Sequence, residues 1–168
     1  MELSADLVSW AELAGFTYSH VDDAAMLYSS GGETCYYIRS VDDGSSWLDV
    51  TETDRGGDDE QLIFSAASLN ILERFFWVKF GFSIRMSRHL PRLVFPTKVE
   101  EMPPGYEVKA ESNAMLILVD AEGLTLARSR NSSSGTFLLV KLASVLGYSV
   151  EDLRASYLHP DGHPIFPR

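Results

Sequence analysis

The chain has 168 residues, 24 acidic and 14 basic side chains and a formal net charge of −10, which disfavours general nucleic-acid binding because phosphate contacts need a basic face. Its length fits one domain, residues 1–168, and 45% hydrophobic content excludes wholesale disorder. A lone cysteine, Cys35, excludes an internal disulfide framework; no apolar run approaches the ~20 residues of a membrane span, and the acidic start Met1–Asp6 reads as no signal peptide, so a cytoplasmic location is expected.

Ser4 to Ala14 is a predicted helix, with Leu7, Trp10, Leu13 and Ala14 on helical spacing, Ser4 as cap and Gly15 after its end. Five short strands are then expected at Phe16–His20, Ala24–Ser29, Thr34–Ser40, Ser46–Thr53 and Gln61–Ser65, separated by Gly- and Asp-rich turns. The links are too short for helical crossovers, so the strands should form antiparallel hairpins. A hydrophobic core helix begins near Ser68, with Asn70 and Glu73 as a capping box. Gly81 is expected to interrupt it before a short basic turn, Ser83–His89. Strands follow at Tyr106–Ala110, Ala114–Val119 and Leu124–Ser129, then helices at Thr136–Leu146 and from Ser149 to about Tyr157. This order gives a single α+β domain, antiparallel meanders packed against several helices.

The charge is unevenly spread. Residues 1–67 carry −12, residues 68–100 carry +4 and residues 101–168 carry −2. A field of this sign steers a positively charged partner, and its bland alternative is a solubilising surface. The acidic turns Asp42-Asp43 and Asp58-Asp59-Glu60, with Trp47 beside the first of them, are the candidate interface: rim charges around an aromatic anchor.

Motifs for catalysis are missing. There is no nucleophile elbow, phosphate loop, dinucleotide fingerprint or zinc-protease helix in the sequence. His159 and His163 are four apart, but Pro160, Gly162 and Pro164 forbid the regular helix that would converge them on a metal. The acidic stretch Asp49–Glu60 lacks the ligand register of a calcium loop. Cys35 would need a base, for which His20 is the nearest candidate; as a small core residue it needs none. Arg85, Arg88, His89 and Arg92 read as an ion-paired or solvated face, with phosphate binding as the alternative. No catalytic residue, metal or cofactor is therefore assigned.

Several segments carry a resemblance: Trp10–Phe16, the run from Glu73 to Phe95, Pro104-Gly105-Tyr106, Ser149–Tyr157 and Asp161–Phe166. Together they resemble the bacterial polymorphic-toxin immunity protein family that includes the immunity factor for tuberculosis necrotizing toxin. The resemblance implies a non-catalytic protein that binds a cognate secreted toxin domain, an NAD glycohydrolase, and blocks its NAD-binding cleft. It carries over no interface residues. The rival readings are a small acidic hydrolase or transferase and a non-inhibitory adaptor. Neither a nucleic acid nor a membrane is expected as partner.

Overall fold

The computed structural model describes residues 1–42, 44–54 and 59–166. Among them, helix α1 (Ala5–Leu13) leads into strands β1 (Phe16–Val21), β2 (Ala24–Ser29), β3 (Thr34–Ser40), β4 (Leu48–Asp54) and β5 (Gln61–Ala66). Helix α2 (Leu69–Ser87) and a 3-10 turn at Val99–Glu101 precede β6 (Glu107–Ala110), β7 (Met115–Val119) and β8 (Thr125–Arg130). Helices α3 (Ser133–Ala143) and α4 (Val150–Leu158) complete the order, and the architecture is α+β.

The strands form one antiparallel sheet in the order β1-β2-β3-β4-β5-β8-β7-β6. The two meanders expected from the sequence are therefore joined edge to edge by β5 and β8, where Phe64 faces Ser129 and Ala66 faces Ala127. An irregularity in the β4–β5 ladder follows the Val50–Phe64 pair: Thr51 next faces Leu62, leaving Ile63 as an extra residue. The Ile63 carbonyl accepts a hydrogen bond from the Ser129 hydroxyl at 3.2 Å, tying this bulge to β8.

Side chains alternate across a sheet, so each strand presents two faces. Leu27, Ile38, Val50, Phe64, Ala127 and Leu118 point to one face and are fully buried in a single hydrophobic cluster. All four helices contribute to that cluster, through Leu7 and Trp10 of α1, Phe76 and Phe80 of α2, Leu139 of α3 and Tyr157 of α4. Its aromatic centre includes Trp10 stacked on Trp77 at 4.6 Å and Phe64 stacked on Phe75 at 4.4 Å. The Trp10 indole N–H donates to the Trp77 carbonyl, so its burial leaves that group satisfied.

Four local expectations are corrected. The cap of α2 is Ser68, whose hydroxyl accepts from the Ile71 N–H; Glu73 instead accepts from both the Ser4 N–H and hydroxyl, docking the start of α1 onto α2. Gly81 does not interrupt α2, because it lies against the ring of Tyr157, where a Cβ would sit 2.5 Å from ring carbons. Its role is close helix approach rather than helix ending. The basic turn is the end of that same helix, and α3 begins three residues earlier than Thr136 because Ser132 caps it.

Arg85 is also not surface. It is 3% exposed, and its guanidinium donates to the carbonyls of Pro91, Ser156, Tyr157, His159 and Pro160. These bonds fasten the segment after α2 and the C-terminal end of α4 to one fork-shaped donor. Arg88, His89 and Arg92 are exposed.

Candidate functional site

The face of the sheet turned away from the helices carries the candidate site. Met26, Tyr28, Tyr37, Thr51, Leu62 and Ile117 point this way; each is half-buried, and none belongs to the core cluster. Trp47, just before β4, shares their side and is half-buried. The Val41 N–H donates to the Trp47 carbonyl, which closes the β3–β4 hairpin and fixes the tryptophan at the start of the strand. The guanidinium carbon of Arg128 lies 4.1 Å from the indole centroid, and an Arg128 amino group pairs with Glu111 at 3.2 Å. Trp47 is thus held in place by a stacked cation while part of its ring remains accessible.

Of the acidic candidates, Asp42 is exposed on the β3–β4 hairpin and Asp59 is exposed before β5. Asp43 and Asp58 lie outside the described residues. The seven residues of β4 separate the two turns, so Asp42 and Asp59 stand at opposite ends of the strand, about 20 Å apart at the usual rise. Glu60 is different. Its carboxylate accepts from both Arg39 amino groups and from the Thr51 hydroxyl, and those hydrogen bonds, with Arg39's foremost, hold it below the usual carboxylate range. Arg39 also reaches Asp23 at 3.6 Å and lies over the Tyr37 ring at 5.2 Å. Glu60 is therefore part of an ordered ion-pair network on the open face rather than a free charge.

Sequence reasoning missed Arg39, Arg128 and the Tyr28–Tyr37 pair of aromatic positions. The signal was present in the alternation of Met26 and Tyr28 along β2 and of Cys35, Tyr37 and Arg39 along β3. It was obscured because β2 also buries Ala24, which breaks the simple inside–outside pattern.

The catalytic alternatives do not assemble. Cys35 and His20 fall on opposite faces of the sheet by strand alternation, and the His20 ring bonds the Tyr18 hydroxyl at 2.9 Å. The rings of His159 and His163 are 5.5 Å apart, but among the described residues no group of three or more His, Cys, Asp or Glu side chains is placed to hold a metal. No described helix is long and apolar enough to cross a membrane.

The result is an α+β protein whose sheet is covered by helices on one side, while its other side combines half-buried aromatics with ordered ion pairs. The family model for Immunity protein 61 matches residues 10–165, and the chain belongs to that family. It is 31% identical to the immunity factor for TNT of Mycobacterium tuberculosis and to its homolog in Mycobacterium bovis, over 99% of this chain and 93% of theirs. The solved structure of Rv3902c from M. tuberculosis superposes with a TM-score of 0.88 at 30% identity, covering 99% of this chain and 94% of that one.

Proposed function

We propose that this member of the immunity family is a non-catalytic, cytoplasmic antitoxin. It binds a cognate NAD-glycohydrolase toxin domain one to one and occludes the NAD-binding cleft. The observation that carries the reading is the full-length relationship to an immunity factor named for its toxin, at a TM-score of 0.88 for the related fold. Charge supports it: an enzyme that receives an anionic dinucleotide presents a basic cleft, and this chain carries −12 over residues 1–67.

The proposed contact surface is the uncovered sheet face, with Trp47 as anchor, Asp42 at the same end of β4 and Asp59 and Glu60 at the other; Asp43 and Asp58, outside the described residues, join the proposed contacts on the sequence alone. An accessible aromatic locked by Arg128 loses little freedom on binding, which favours a central anchor. Acids at both ends of β4 supply a rim that guides approach. A standard interface of about 1,600 Å² needs no more than such a face and its two hairpins.

Mixing the pure protein with the proposed cognate NAD-glycohydrolase toxin domain, followed by size-exclusion chromatography with light scattering, tests the partnership. A complex of one copy each is expected. Separate elution at micromolar concentrations, with both proteins folded, would remove the proposal.

A further inference from the structure

On the helical side of the sheet, α2, α3 and the segment from Leu90 to Phe95 enclose two adjoining depressions, of about 280 and 450 Å³, which share Phe82, Phe137 and Lys141. These volumes are of the size that holds small organic ligands. Their walls are mostly aliphatic and aromatic, and Met86 and Val94 at the outer margin are 69% and 74% exposed. Helix α3 runs along the groove from Ser134 to Lys141, about 10 Å at the helical rise.

The charged residues lining this groove are all cations, in a protein of net charge −10: Lys79, Arg85, Arg92 and Lys141. Two of them are engaged elsewhere. Lys79 pairs with Glu52 at 3.6 Å, and Arg85 holds the five carbonyls described above. Lys141 stands apart. Its ammonium nitrogen lies 3.7 Å from the Phe137 centroid, 4.4 Å from Phe82 and 5.8 Å from Phe95, and among the described residues no carboxylate pairs with it. Three rings offset only part of the hydration an ammonium loses on burial. Accordingly, burial pushes Lys141 down to about 8.

From this geometry we infer that the α2–α3 groove is a binding site for a small apolar carboxylate, a single-chain fatty acid, whose headgroup pairs with Lys141 while its chain lies along Phe82, Phe137 and Leu138. A neutral apolar ligand would leave the ammonium uncompensated, and a cationic one would meet a wall of like charge. A polar anion would forfeit the apolar walls. Only an anion with an apolar body matches both features. The site lies on the opposite side of the sheet from the proposed toxin surface, so it stands or falls independently of that reading.

The test uses the full chain and decanoate, decanol and decyltrimethylammonium below their micellar concentrations, followed by NMR of backbone amides and lysine side chains. Decanoate should saturably shift Phe82, Phe137 and Lys141 and move the Lys141 titration from about 8 up toward the ordinary lysine range. Lys141→Met should weaken decanoate by about tenfold or more, the loss of one charge pair, and leave decanol binding unchanged. Decyltrimethylammonium should not bind. Absence of saturable decanoate binding at millimolar concentration would overturn the inference. So would equal weakening of decanoate and decanol by the substitution. Protection of Lys141 from reductive methylation by the toxin domain, without any response to decanoate, would assign the groove to a protein partner and likewise overturn it.

Discussion

Arg128 lies over the indole of Trp47 with 4.1 Å between guanidinium carbon and ring centroid, joining the β3–β4 hairpin to β8 across the uncovered sheet face. The two residues are 81 positions apart in the chain. Their stacking orders the tryptophan before any partner arrives, and ordered aromatics lose less entropy on docking. Trp47→Ala should therefore speed dissociation of the toxin complex, at a cost of ~2 kcal/mol or more, with association nearly unchanged. Surface-binding kinetics measures both rates, and an unaltered circular dichroism spectrum separates a binding loss from a folding loss.

The acidic turns should act on encounter. Reversing Asp42 and Asp43 together to Lys, or Asp59 alone, should slow association and flatten its dependence on ionic strength. Glu60→Gln should change the association rate less than Asp59→Asn, an equal change of charge, because Glu60 is already paired with Arg39. Kinetics at two salt concentrations checks this ordering; equal effects at both positions would mean that the Arg39 pairing is irrelevant to the field.

Glu60 also predicts a pH dependence. Its folded value is depressed, so the stabilisation from the Arg39 and Thr51 contacts is fully present above the unfolded carboxylate value of about 4.3 and is lost as pH falls through the lower folded value. NMR titration should place the Glu60 midpoint below that of an unpaired glutamate. In Arg39→Gln the midpoint should rise, and the acid limb of the stability curve should flatten.

Two core contacts should dominate stability. Gly81→Ala places a methyl group 2.5 Å from the Tyr157 ring and should cost about 3 kcal/mol by forcing α2 and α4 apart. Arg85→Met removes the donor for five carbonyls and should cost about 3 kcal/mol or more, with accelerated amide exchange at His159–Phe166. Thermal unfolding and hydrogen exchange measure both. A Gly81→Ala protein of unchanged stability would show that Tyr157 can move aside.

Local signals made much of this fold legible in the sequence. The bounds of β2 and β3, the Ser4 cap and the existence of four helices, though not the continuity of α2 or the bounds of α3, follow from spacing and turn chemistry between neighbours along the chain. What was hidden depends on distant partners. Nothing near Gly81 announces Tyr157, nothing near Glu73 announces Ser4, and the β5–β8 pairing that unites the meanders spans α2 and two strands. A buried arginine satisfied by backbone carbonyls reads as a surface base for the same reason. Of the candidate site, Trp47 and the acidic turns were readable as types, whereas the Arg128 stack and the Arg39–Glu60 pairing arise only from strand register.

Stoichiometric occlusion of an NAD-cleaving toxin can be measured by titrating this protein into a fixed amount of the proposed cognate toxin domain while following NAD loss. Activity should fall linearly to zero at one equivalent, with inhibition weakening as NAD is raised. A tight complex that cleaves NAD at the uninhibited rate, or complete inhibition far below one equivalent, would contradict stoichiometric occlusion.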